Sequence, residues 1–65
     1  MSHYRLYLLD DHDHIVRGLD LSCRDDLDAQ SAAEMYRVAH AVELWQGPRF
    51  VTHLEKKAPA WPRAA

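Results

Sequence analysis

The residues best suited to chemistry lie side by side at positions 10–14, where the sequence is Asp-Asp-His-Asp-His. Aspartate and histidine are common metal ligands, and alternate residues of an extended segment point to the same side, so two histidines could converge on one ion. The calcium-loop pattern fails, because Ile15 and Val16 stand where that pattern requires an acidic or amide side chain and a glycine. The weak candidates for a metal site are therefore Asp11, His12, Asp13 and His14.

Two interpretations of residues 10–14 stay open. A solvated turn between two strands requires only polar residues, and two histidines alone make a weak metal site. A metal-binding accessory domain that uses this segment is the alternative function. No cofactor is expected, because the chain contains neither a His-Glu-x-x-His motif nor a Cys-x-x-Cys pair.

Cys23, the single cysteine, could serve as a nucleophile. It continues the alternation of Leu19 and Leu21, however, which is typical of a small core residue, and no base is placed beside it. The carboxylates and histidines show no catalytic spacing, and so short a chain has little room for a pocket of about 300 Å3 or more. The sequence therefore predicts no enzyme.

The chain length limits the architecture to one domain. A domain of 65 residues buries only about 60% of the surface that its unfolded chain exposes, so small folds often need a disulfide, a metal or a partner subunit. One cysteine excludes an internal disulfide. Oligomerisation or a metal remains, and the size of the chain favours a dimer.

Composition and charge indicate the class of protein. The hydrophobic fraction of 48% and the charged fraction of 28% are ordinary for a globular domain. No apolar run approaches the roughly 20 residues of a membrane helix, and no secretory signal precedes the first strand, so a cytoplasmic location is expected. Nucleic-acid binding is disfavoured, because the net charge is −2 and no basic stripe is present.

Two strands and a helix are predicted in the first two thirds of the chain. Residues 4–9 are rich in aromatic and aliphatic side chains, and residues 15–23 alternate with the period of a half-buried strand. Asp25 or Asp26 can cap a helix that continues to about His40. One stripe of that helix faces the sheet and consists of Ala29, Ala32, Ala33, Tyr36 and His40.

A second hairpin is predicted over residues 42–54. With Gln46 and Gly47 as a two-residue loop, Val42 pairs with Val51 and Glu43 pairs with Phe50. One face would then carry Val42, Leu44 and Val51, and the other Trp45 and Phe50. Residues 56–65 contain two prolines and are predicted to form a flexible tail. Trp61 could dock on the domain or stay with the tail.

These elements predict an α+β domain over residues 1–55 with the order ββαββ, in which one helix packs on one face of an antiparallel sheet. One helix cannot cover both partly apolar faces, so a homodimer or a protein partner is expected to meet the uncovered surface. The sheet face is preferred over the far side of the helix, because Trp and Tyr are enriched at binding hot spots. The candidate interaction residues are Tyr7, Trp45 and Phe50 on the sheet and Leu27, Met35 and Val38 on the helix.

The sequence also resembles a known group of proteins. The segments are Tyr-Arg-Leu-Tyr from Tyr4, Leu-x-Cys-x-Asp-Asp from Leu21, and Glu-Leu-Trp-Gln-Gly from Glu43. Together they are similar to a group of short hypothetical proteins of alphaproteobacteria, over about residues 3–55. The group has no established activity, so the resemblance implies no catalytic or binding residues.

Overall fold

Four antiparallel strands and one helix form the domain in a computed structural model that describes residues 1–57. The elements are β1 (Ser2–Leu9), β2 (Ile15–Cys23), α1 (Asp26–Glu34), β3 (Ala41–Gln46) and β4 (Arg49–Leu54). The order ββαββ confirms the predicted α+β fold. Within residues 1–57, no helix is long and apolar enough to cross a membrane.

The sheet has the strand order β2-β1-β3-β4, so the first strand of the chain is central. β1 pairs with β2 in a hairpin and with β3 on its other side, and β3 pairs with β4. The helix connects the outer strand β2 to the inner strand β3. This connection places α1 over one face of the sheet, in contact with β2, β3 and β4.

The core lies between that face and the helix. Alternation in β1 directs Tyr4, Leu6 and Leu8 into it, and all three are buried. Ala29 and Ala33 are fully buried in the same cluster, because a methyl side chain lets the helix lie close to the sheet. The remaining buried members of the cluster are Cys23, Val42 and Leu44, and the burial of Cys23 confirms the predicted core position.

The start of α1 is fixed by two neighbouring aspartates. Asp25 is the N-cap, and its carboxylate accepts a hydrogen bond from the backbone N–H of Asp28 at 2.9 Å. Asp26 accepts the hydroxyl of Tyr4 at 2.7 Å and two bonds from the Arg49 guanidinium at 2.8 and 3.1 Å. These bonds from Arg49 and then Tyr4 lower the pKa of Asp26. Asp26 therefore joins the helix to β1 and β4.

The helix is shorter than predicted, since it ends at Glu34 rather than near His40. The following backbone bonds are of the tighter three-residue type, as from Met35 N–H to the Ala32 carbonyl at 3.1 Å. Arg37 is held by the chain after β4: its carbonyl accepts the N–H of Lys57, and its Nε donates to the Glu55 carbonyl. These contacts replace further helical turns.

The register predicted for the second hairpin is wrong. Gln46 pairs with Arg49, so Gly47 and Pro48 form the loop, and Val42 pairs with Leu54 instead of Val51. Gly47 has a φ of 58°. A positive φ followed by the fixed negative φ of proline suits a type II′ hairpin turn, which takes glycine in the first loop position. The observed register also pairs Glu43 with His53 rather than with Phe50.

A bulge in the same hairpin decides where the apolar residues of β4 go. The register shifts between Leu44, opposite Thr52, and Trp45, opposite Phe50, so that Val51 is the additional residue. Val51 packs against the core, as predicted, while Phe50 stays with Trp45. The two sets of apolar residues therefore separate to the two faces as expected, despite the wrong register.

The predicted tail is only partly within the described residues. Lys57 bonds to Arg37 through the backbone at 2.8 Å, and Lys56 Nζ donates to Asp11 Oδ1 at 3.3 Å. Both lysines therefore contact the domain. The prediction for the remainder of the tail, including Trp61, lies outside residues 1–57.

The close approach of helix and sheet predicts that Ala33→Leu destabilises the fold. The added side chain has no space at a fully buried position, and overpacking of this kind costs about 1–3 kcal/mol. Ser31→Leu is the matched control, because Ser31 is exposed on the same helix. Urea denaturation should show a lower free energy of unfolding for Ala33→Leu only, and equal stability of the two variants would contradict the packing described.

Candidate interaction face

The face of the sheet away from α1 carries charged and aromatic side chains. We call it the open face. Strand register arranges it in two rows across all four strands, the first being Asp20, Arg5, Trp45 and Phe50. The second row is Gly18, Tyr7, Glu43 and His53.

Arg5 organises the half of the open face formed by β1 and β2. Its Nη1 donates to Asp20 Oδ1 at 2.6 Å, and this bond lowers the pKa of Asp20. Its guanidinium carbon lies 5.8 Å from the centre of the Tyr7 ring, within the range of a cation–π contact. A Cβ on Gly18 would lie 2.8 Å from Arg5 Nη2. Gly18 therefore leaves the space in which the guanidinium lies.

Trp45 and Phe50 form the aromatic part of the face. Their ring centroids are 5.4 Å apart at an interplanar angle of 73°, the edge-to-face arrangement that aromatic pairs prefer. The indole Nε1 of Trp45 donates to Glu43 Oε1 at 3.2 Å, so its polar atom is satisfied. Phe50 remains 49% exposed. The pair thus presents ordered apolar area at the surface.

His53 lies between two carboxylates, and we call Glu43, His53 and Glu55 the His53 cluster. Nδ1 is 3.3 Å from Glu43 Oε2, and Nε2 is 3.0 Å from Glu55 Oε2. Partial burial pulls the pKa of His53 down, while the hydrogen bonds to Glu55 and Glu43 raise it by more, so the net shift is upward. The doubly protonated ring can donate to both carboxylates, whereas the neutral ring can donate to one only.

The sheet residues predicted to interact lie together on the open face, while those predicted on the helix are spread out. Leu27 and Met35 are exposed, but they lie about 12 Å apart along the helix direction. Val38, also exposed, follows the end of the helix. Sequence reasoning missed Arg5 and the His53 cluster. Alternation in β1 could have placed Arg5 beside Tyr7, but finding the cluster required the correct register of β3 and β4.

The segment at positions 10–14 is organised by its first aspartate. Asp10 Oδ1 accepts the backbone N–H groups of His12 and His14 at 2.8 and 2.9 Å, and Asp13 takes a φ of 63°. These bonds lower the pKa of Asp10. The rings of His12 and His14 have centroids 6.2 Å apart. Among residues 1–57, no group of three or more His, Cys, Asp or Glu side chains is arranged to hold a metal ion, so the candidates Asp11, His12, Asp13 and His14 are not brought together as ligands.

The thiol of Cys23 lies in the core rather than on the open face. Only 5% of the residue is exposed, and burial, followed by the charges of Asp28 and Asp25, raises the pKa of the thiol. A protonated, buried thiol is a poor nucleophile. The position is explained by packing.

The geometry at His53 predicts an imidazole that titrates above its ordinary value of 6.5. A raised folded-state pKa contributes stability below the unfolded-state pKa, and that contribution is lost as pH rises through the folded-state value. NMR of the His53 ring should therefore give a midpoint above 6.5, and Glu55→Gln should lower it. The stability difference between the native chain and Glu55→Gln should also shrink as pH rises.

Glu34→Gln is the control for this titration, because Glu34 is an exposed carboxylate that pairs with Arg37 rather than His53. It should leave the midpoint of His53 unchanged. A midpoint at or below 6.5 that Glu55→Gln does not move would contradict the described contacts.

Comparison of the chain with family models, with curated proteins and with solved structures finds no match. The resemblance to short alphaproteobacterial proteins stays an expectation from the sequence.

Proposed function

We propose that the protein is a small non-enzymatic interaction module that pairs with a second copy of itself through the open face. The observation that carries this proposal is that residues 1–57 form one helix on a four-stranded sheet. The helix covers one face, while Tyr7, Trp45 and Phe50 lie half-buried or exposed on the other. Clustered aromatic residues at a surface are typical of association sites.

The open face supports this function better than the far side of the helix. Trp45 and Phe50 are in ring contact, and Tyr7 lies across β1–β3 from Glu43, the partner of the Trp45 indole. The exposed apolar residues of the helix are instead separated from one another by a length of about two turns. A contiguous aromatic surface can exclude water on association, whereas isolated apolar side chains are ordinary on protein surfaces.

The size of the face limits the strength of association. Four strands spaced about 4.8 Å apart, each contributing about six residues, give a footprint on the order of 400 Å2. Stable complexes typically bury about 800 Å2 on each partner. We therefore expect a weak, reversible dimer.

A cytoplasmic location remains a prediction from the sequence.

Sedimentation equilibrium tests the proposal over concentrations from about 10 µM to about 1 mM, the range of weak complexes. The native chain should shift from monomer to dimer across this range. Trp45→Ala should weaken the dimer at least about 30-fold, because truncation of a central aromatic residue costs about 2 kcal/mol or more at a hot spot. Circular dichroism of the variant should show that the fold is kept.

Leu27→Ala is the matched control, since it also truncates a surface apolar residue but on the helix. It should leave the dimer unchanged. A chain that stays monomeric up to about 1 mM would overturn the proposal. A dimer weakened by Leu27→Ala and not by Trp45→Ala would assign association to the helix surface and overturn the choice of face.

A further inference from the structure

The two halves of the open face carry different charge. In the half formed by β1 and β2, Arg5 and Asp20 pair with each other. In the other half, the His53 cluster sets two carboxylates against one imidazole, so it is negative whether or not His53 is protonated. The side chain of Arg5 is 43% exposed and that of Glu55 is 82% exposed, so both charges reach the surface.

Two copies that face each other across this surface can be related by two different two-fold axes. Aligned packing keeps the strand directions of two sheets within about 30°, so the axis runs either across the strands or along them. An axis across the strands places β4 over the partner's β4. An axis along the strands, between β1 and β3, places β1 over the partner's β3 and β2 over the partner's β4.

Electrostatics distinguishes the two arrangements. The axis across the strands stacks β4 on the partner's β4, so the two negative His53 clusters lie in the same half of the interface, and like charges there are unfavourable. The axis along the strands places each row over the same row of the partner, which runs in the opposite direction across the sheet. Gly18, at one end of its row, therefore lies over the partner's His53, at the other end. Because the Arg5 guanidinium lies above Gly18, it is carried to the partner's negative half.

We propose that the second copy packs with its two-fold axis along the strands, so that Arg5 of each copy meets the His53 cluster of the other, with Glu55 as the receiving carboxylate. This arrangement rests on the proposed self-association through the open face. Each protomer thus supplies the cation that the partner's cluster lacks.

Charge reversal with mixing tests the arrangement. In Arg5→Glu or Glu55→Lys alone, both symmetric contacts become repulsive, so each variant should dimerise at least about tenfold more weakly than the native chain. An equimolar mixture of the two variants can form a heterodimer with one native contact, Arg5 with Glu55. Its other contact joins the glutamate introduced at position 5 to the lysine introduced at position 55, so both contacts are attractive. Native mass spectrometry and sedimentation should therefore show a heterodimer restored to within about threefold of native affinity.

Two further variants separate a contact between chains from a defect within one chain. Arg17→Glu makes the same change of charge on β2 but opposite Leu8, on the helix-covered face, and it should leave dimerisation unchanged. If Arg5→Glu loses structure because the introduced carboxylate would lie beside Asp20, the double variant Arg5→Glu/Asp20→Asn removes that repulsion. Mixing cannot repair a defect within one chain, so rescue on mixing reports a contact between chains.

The outcomes separate the two proposals. A native chain that does not dimerise removes both. A native dimer that either reversal leaves intact, or that mixing fails to restore, overturns the arrangement with Arg5 over the His53 cluster and leaves association through the open face standing.

Discussion

One nine-residue helix covers only one face of a sheet of four strands, and the rest of the structure depends on this constraint. Alternation directs one side of each strand toward the helix, and the buried residues on that side, among them Tyr4, Leu6 and Leu44, are aliphatic or aromatic. Their neighbours face away from the helix, with no other element of residues 1–57 to cover them. They are accordingly of a different chemical kind: ion pairs, hydrogen-bonded carboxylates and aromatic rings that keep one edge in water.

The covered face needs close contact, and small residues provide it. Ala29 and Ala33 add little hydrophobic area themselves, but they bring the helix backbone near enough to bury Leu6 and Leu44 completely. The polar bonds of Asp26 then fix the end of the helix over β1 and β4. Close packing thus holds the middle of the helix against the sheet, and the bonds of Asp26 hold its start. Together they keep this small core ordered.

The sequence predicted the parts of this fold that depend on periodicity. The alternation through Cys23 located β2, and the alanine spacing located the two buried helix residues, Ala29 and Ala33. Tyr36, predicted in the same stripe, follows the end of the helix and is exposed. Positions that depend on one local choice were harder to predict. The register of the second hairpin depends on whether Gly47 is the first or the second residue of its loop. The segment after the helix contacts the chain beyond β4 through Arg37, which is distant in sequence. The His53 cluster could not be found before that register was known.

β1 is first in the chain but central in the sheet, and this has a consequence for synthesis. Its second neighbour, β3, ends at Gln46, so a growing chain holds one unpaired edge of this inner strand until synthesis has passed α1 and β3. During that interval the β1–β2 hairpin exists without the partner that completes the core, and isolated hairpins are marginally stable in water. The core described above can therefore close only once β3 has been made and has paired with β1.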